Sequence, residues 1–132
     1  MQSIYGWIVV FQRVDLSNWP VVFASYQTGF GSIDSNFFLG LNRIYQLTYS
    51  TPYRLRVELQ LSPSGAWVSA EYWRWSVGSY IGGGSGAWYN TGVTGYNGVA
   101  GNYFPTGLYF QGPDNAAAPS TMTAATAAGC AW

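Results

Sequence analysis

The residue types that most often carry catalysis are scarce in this chain, and they are not grouped where they occur. Histidine is absent, which removes the commonest general base and a common metal ligand. The acids are Asp15, Asp34, Glu58, Glu71 and Asp114. Glu58 and Glu71 fall on one face of an expected hairpin, and paired carboxylates are the machinery of glycoside hydrolysis. Arg54 and Arg56 run through the same segment, so the carboxylates are expected to serve ion pairs instead. Cys130 has no histidine to activate it and lies among alanines, which points to a small packed thiol. The glycine run at residues 82–85, GGGS, lacks the lysine and following helix of a phosphate loop. The sequence therefore predicts no enzyme, no cofactor and no resident metal.

Binding is the remaining chemistry. Trp88, Tyr89, Tyr96 and Tyr103 lie in a glycine-rich, uncharged stretch, where flat aromatic faces could stack on sugar rings. The same residue types also fill cores and subunit interfaces, and both readings stay open. A second group, Arg54, Arg56, Glu71 and Trp73, is expected to be structural: an Arg56–Glu71 ion pair and an Arg54–Trp73 cation–π contact.

The elements that must position these residues can be read from pattern. Residues 7–11, WIVVF, read as a strand by their β-branched and aromatic content. In SNWPVVFASYQTG, Ser17 or Asn18 can cap a helix, Pro20 suits its first turn and Gly29 its exit. Val22, Phe23 and Tyr26 would then share a face. Residues 37–48, FFLGLNRIYQLT, read as a second helix with Leu41, Ile44 and Leu47 three apart and Tyr45 four beyond Leu41. Gly40 would weaken that helix by about 1 kcal/mol, which implies close packing against another element.

The clearest local signal is a hairpin. YRLRVELQL alternates strictly, SPSG offers Pro63 and Gly65 for a type I turn, and AWVSAEYWRW returns. Pairing Leu61 with Ala66 sets Leu59 opposite Val68, Val57 opposite Ala70 and Leu55 opposite Tyr72. It also brings Arg56 to Glu71 and Arg54 to Trp73. A one-residue slip would move every apolar side chain to the wrong face. Past Val77 the frequent glycines predict short strands and loops. Residues 113–132, rich in Ala and Thr with Pro119 and Gly129, read as an extended or irregular arm.

At 132 residues the chain is the size of one domain. Charged residues are 8%, against about a quarter in ordinary globular domains, and aromatics are 19%. The formal net charge of +0 gives no pull toward nucleic acid or an anionic membrane. No 18-residue apolar run predicts a membrane span. A neutral, aromatic-rich surface favours self-association. The basic residues are all arginine, which suits planar interface contacts, although compositional bias explains it as well. The start, MQSIYGWIVVFQRV, lacks the charged region and cleavage site of a signal peptide. That leaves either a whole polypeptide beginning at Met1 or an excised piece.

Laid end to end, the segments resemble the fibrinogen-like domain of fibrinogen chains, ficolins and tachylectins. GWIVVFQRV, FASYQTGFG, FFLGLNRIYQLT, YRLRVEL and VSAEYWRWSVGS match its motifs in order across residues 6–78. The resemblance implies an α+β fold: a twisted antiparallel sheet with short helices, over residues 1–112, followed by the 113–132 arm. It also implies features that this chain has lost. One cysteine cannot make the family's disulfides. In LYFQGPDNAAA, set against the family's calcium loop, only Asp114 is a carboxylate, with Ala116, Ala117 and Ala118 following. Calcium needs several charged oxygens, so none is expected there. The family's pocket segment maps loosely onto TAATAAGCAW, keeping Gly129 and Trp132.

Composition and resemblance together predict a non-enzymatic surface module of an assembled particle. A phage virion decoration, cement or tail-fibre protein fits best, located on the virion. Its partners would be other virion proteins and its own copies, as a homo-oligomer with a trimer among the arrangements. The alternative is a lectin-like module, secreted or on a fibre, that binds glycan or a receptor.

Overall fold

The computed structural model describes residues 3–4, 6–15, 22–60, 62–81, 88–99 and 108–110, with the backbone alone at 3–4, 81, 88–92 and 108–110. The apolar run at residues 7–11 does not form one strand. β1 (Ser3–Ile4) pairs antiparallel with β2 (Trp7–Ile8) around Gly6, while β3 (Phe11–Gln12) belongs to a different sheet. The chain changes sheets at Val10, whose carbonyl accepts the Leu39 N–H at 2.9 Å. That bond extends the β3–β5 pairing by one position, so the chain has already left the first sheet there.

Helix α1 (Phe23–Thr28) is shorter than expected. Ser17, Asn18 and Pro20 lie outside the described residues, and Val22 is the N-cap, with no side-chain cap hydrogen bond. Phe23 and Tyr26 are buried, whereas Val22 is exposed and drops off the expected apolar face. Two strands follow, β4 (Phe30–Gly31) and β5 (Phe37–Phe38), and the small sheet runs β3-β5-β4.

Here the expected helix over residues 37–48 divides. Phe37 and Phe38 are extended, and only α2 (Leu41–Thr48) is helical. The reason sits at Gly40, the N-cap, whose φ of 98° an L side chain rarely adopts. A Cβ there would also lie 2.6 Å from the Thr28 carbonyl carbon at the end of α1. The two helices are therefore brought together backbone to backbone. The close approach read into Gly40 is present, but it places the glycine ahead of the helix rather than inside it.

Phe38, in the central strand of its sheet, pairs with Phe11 on one side and Phe30 on the other. Its ring meets those of Tyr26 and Phe30 at 5.7 and 5.8 Å between centroids. With Leu41 and Ile44 these residues fill the core.

The larger sheet is antiparallel throughout, in the order β6 (Tyr53–Gln60), β7 (Trp67–Ile81), β8 (Trp88–Gly98), β9 (Leu108–Phe110). The turn after β6 closes with the Gly65 N–H on the Ser62 carbonyl at 2.9 Å, with Pro63 next after Ser62. Leu59 faces Val68, Val57 faces Ala70, Leu55 faces Tyr72 and Arg56 faces Glu71. Leu61 lies outside the described residues. The register then shifts between Tyr53 and Leu55, so Tyr53 meets Trp75 and Arg54 has no single partner opposite it. Burial also fades along β6, with Leu55 buried and Leu59 46% exposed.

Where it is described, the glycine-rich stretch past Val77 is more regular than predicted. Its 11-residue strand β8 is paired along most of its length with β7 and at its start with β9. The ladder to β7 holds a glycine-bearing strand that local propensity alone would not. Tyr72 and Trp75 are both buried although three residues apart, so β7 changes face between them. β8 changes face in step, through Gly95 at φ 70°. Helix α2 lies against β7, and one polar joint fixes it. The buried Thr48 hydroxyl donates to the Ile44 carbonyl and accepts the Val77 N–H, each at 2.9 Å.

Candidate binding surface

The hairpin's alternation gives the large sheet an outward face as well as a packed one. Arg54, Arg56 and Glu58 from β6 share it with Trp67, Glu71 and Trp73 from β7. Trp73 sits where the strands change face. Its indole lies over Gly95 of β8, so close that a Cβ there would be 2.6 Å from its Cδ1. From the β6 side the Arg54 guanidinium lies 4.2 Å from its ring centroid. The indole is thus held between two neighbouring strands, with its outer edge in solvent.

Charges continue from this stack. Arg54 reaches Glu71 at 3.6 Å, Glu71 binds Arg56 at 2.6 Å, and Arg56 binds Glu58 at 2.8 Å. The hydrogen bonds that Arg56 donates to Glu58 and then to Glu71 raise its pKa above the usual value, so the guanidinium stays charged at any physiological pH. The line is +−+−, with both carboxylates engaged by arginine. Such an arrangement can orient and bind. Among the described residues, no group of three or more His, Cys, Asp or Glu could hold a metal. Asp114 lies outside those residues.

Among the described residues, Tyr96 lies apart in sequence from Trp88 and Tyr89. Trp88 and Tyr89 open β8, opposite Ile81 and Tyr80 of β7, and Tyr89 also faces Phe110. Tyr96 lies seven residues beyond Tyr89, about 23 Å along a strand. Its ring packs on buried Tyr72 at 5.7 Å, and its hydroxyl donates to the Gly98 carbonyl at 2.8 Å. The structure therefore sets Tyr96 against the core. Tyr103 lies outside the described residues. A residue not singled out in the sequence, Trp67, is 64% exposed beside the hairpin turn. Its outward parity in the alternation of β7 was the available signal.

Residues 2–127 match the family described as "Fibrinogen beta and gamma chains, C-terminal globular domain". Chicken tenascin-R is 33% identical over 108 residues, 81% of this chain and 7% of the relative. Human angiopoietin-related protein 2 is 42% identical over 72 residues, 51% of this chain and 14% of the relative. Among solved structures, the fibrinogen-like globe domain of human ANGPTL2 superposes with a TM-score of 0.58 at 35% identity, covering 74% of this chain and 43% of that one. The globe domain of human ANGPTL6 gives 0.61 at 28% identity, covering 76% and 44%. The chain thus spans less than half of these globe domains and a small part of the curated relatives. The shared order of strands and helices and the match over most of its length place this chain in the fibrinogen C-terminal domain family.

Proposed function

We propose that the chain is a non-enzymatic, lectin-like recognition module that works outside the cell, and that its ligand is a glycan. The observation that carries this reading is the family match over residues 2–127, alongside tenascin-R and angiopoietin-related protein 2. The outward sheet face, whose carboxylates are paired with arginines, suits binding rather than turnover. The reading of the composition as a phage particle subunit draws no support from any of these relatives.

Trp88, beside the glycine-rich residues 82–87, is the proposed stacking residue, since Tyr96 is committed to packing on Tyr72. A glycan array with the wild-type chain and its Trp88→Ala variant tests the proposal. Wild-type binding that falls on the order of tenfold in the variant, with unfolding unchanged, is the expected result, in line with one lost aromatic contact. Folded wild-type protein that retains no glycan on the array overturns it.

A further inference from the structure

Strand β6 is the outer strand of the large sheet, and among the described residues no strand pairs with its other side. An edge of eight residues is a ready template for another strand. Its sequence, YRLRVELQ, is also self-complementary in one way only. Side chains on opposing strands must share a face, so a second copy running antiparallel across a two-fold axis can centre the pair only on a residue.

Centring on Leu55 sets Arg54 against Arg56 twice. Centring on Arg56 opposes two arginines, and centring on Glu58 opposes two glutamates. Only Val57 works. There Arg56 faces Glu58 of the second copy, Glu58 faces its Arg56, and Arg54 meets the neutral Gln60. On the packed face the same register sets Leu55 beside Leu59 and Val57 beside Val57. That brings an apolar neighbour to Leu59, which is 46% exposed, and Glu58, 53% exposed, gains a second arginine.

We propose that two copies of this chain pair antiparallel through β6, with the two-fold axis at Val57, into one continuous sheet. The interface is isologous, as closed dimers require. It does not depend on the glycan reading, and it would present two outward faces side by side.

Sedimentation of mixed variants provides the test. Wild type is expected to dimerise at micromolar concentration. Arg56→Glu alone opposes carboxylates across the axis, and Glu58→Arg alone opposes guanidiniums, so each is expected to dissociate on the order of tenfold more readily. Mixed together, the two variants restore unlike charge at both positions, and a heterodimer should form. In a Cys130→Ser background, Val57→Cys should give a covalent dimer on mild oxidation and Gln60→Cys should not, which tests the register without altering charge. A monomeric wild type, single variants that dimerise undiminished, a mixture that stays monomeric, or crosslinking at Gln60→Cys rather than Val57→Cys overturns the proposal.

Discussion

The two faces of the large sheet are held by different forces, although the same strands supply both. The packed face, from Leu55, Tyr72, Trp75, Val77 and Val93, is continuous with the rings of Tyr26 and Phe38 and with α2. Its contacts are numerous, dry and dependent on shape, so removing any one leaves a space the rest cannot fill. The outward face is a line of paired charges beside the stacked indole of Trp73, wet on its outer side. There each partner keeps most of its hydration, and the pairing energy is a small difference. Stability is thus expected to be concentrated on one face. The proposed recognition and the proposed self-association use the other face and the edge.

The strongest way to break this contrast is Phe38→Ala. The ring is 2% exposed and lies in the central strand among three other aromatic rings. A loss of about 4 kcal/mol is expected by urea unfolding. Domains of this size have only about 5–15 kcal/mol in all. A loss under about 1.5 kcal/mol would mean that the small sheet is not part of the core.

Thr48 comes next. Thr48→Val keeps shape and burial but removes the acceptor of the Val77 N–H. A buried donor without a partner costs about 1–3 kcal/mol, and the variant should lie near 2. Thr48→Ser retains the hydroxyl and should lose less than the valine variant. Equal losses in both would show that the methyl group, and not the hydrogen bond, joins α2 to β7.

Gly95→Ala probes the place where the two faces exchange. The new methyl both strains a φ of 70° and displaces the Trp73 indole from below. The strain costs about 1–2 kcal/mol, and the displaced ring gives up its contact with Arg54. A shifted Trp73 indole N–H resonance with a loss of that size is expected. An unmoved resonance would contradict the stacking geometry.

These cases also mark what the sequence made legible. The hairpin register followed from strict alternation, because burial on one face fixes parity and the turn residues fix the starting point. The shift at Tyr53 was not legible, since it arises from a change of face in β7 and β8 together. The division of residues 37–48 was missed for a related reason. Leu41, Ile44 and Leu47 carry the helical period, but two phenylalanines and a glycine ahead of them fit either a helix or a strand. What decides is the backbone of Thr28, twelve residues away in sequence and in contact only once folded. The length of β8 was hidden likewise, since its glycines read as turns until the strands on either side are known. Of the expected site, the Arg54, Arg56, Glu71 and Trp73 group was readable from the hairpin alone. The inward packing of Tyr96 was not, because alternation across β8 is broken at Gly95.

The smallest expected effect is the most informative about the outward face. Arg54→Gln removes the cation over Trp73 and the longer of the two contacts to Glu71, which keeps its shorter bond to Arg56. The Arg54 side chain is 44% exposed, so solvent screens both interactions and a loss of about 0.5 kcal/mol is expected. A double-mutant cycle with Trp73→Leu separates the two contributions. If the stacked pair is the main contact, most of the loss disappears in the Trp73→Leu background, and high salt changes it little. Should salt abolish the whole effect while Trp73→Leu leaves it intact, Glu71 would be the partner that matters. The indole would then rest on Gly95 alone. A loss above about 1.5 kcal/mol would erase the contrast between the faces, because the wet side would then be holding the fold as firmly as a buried methyl.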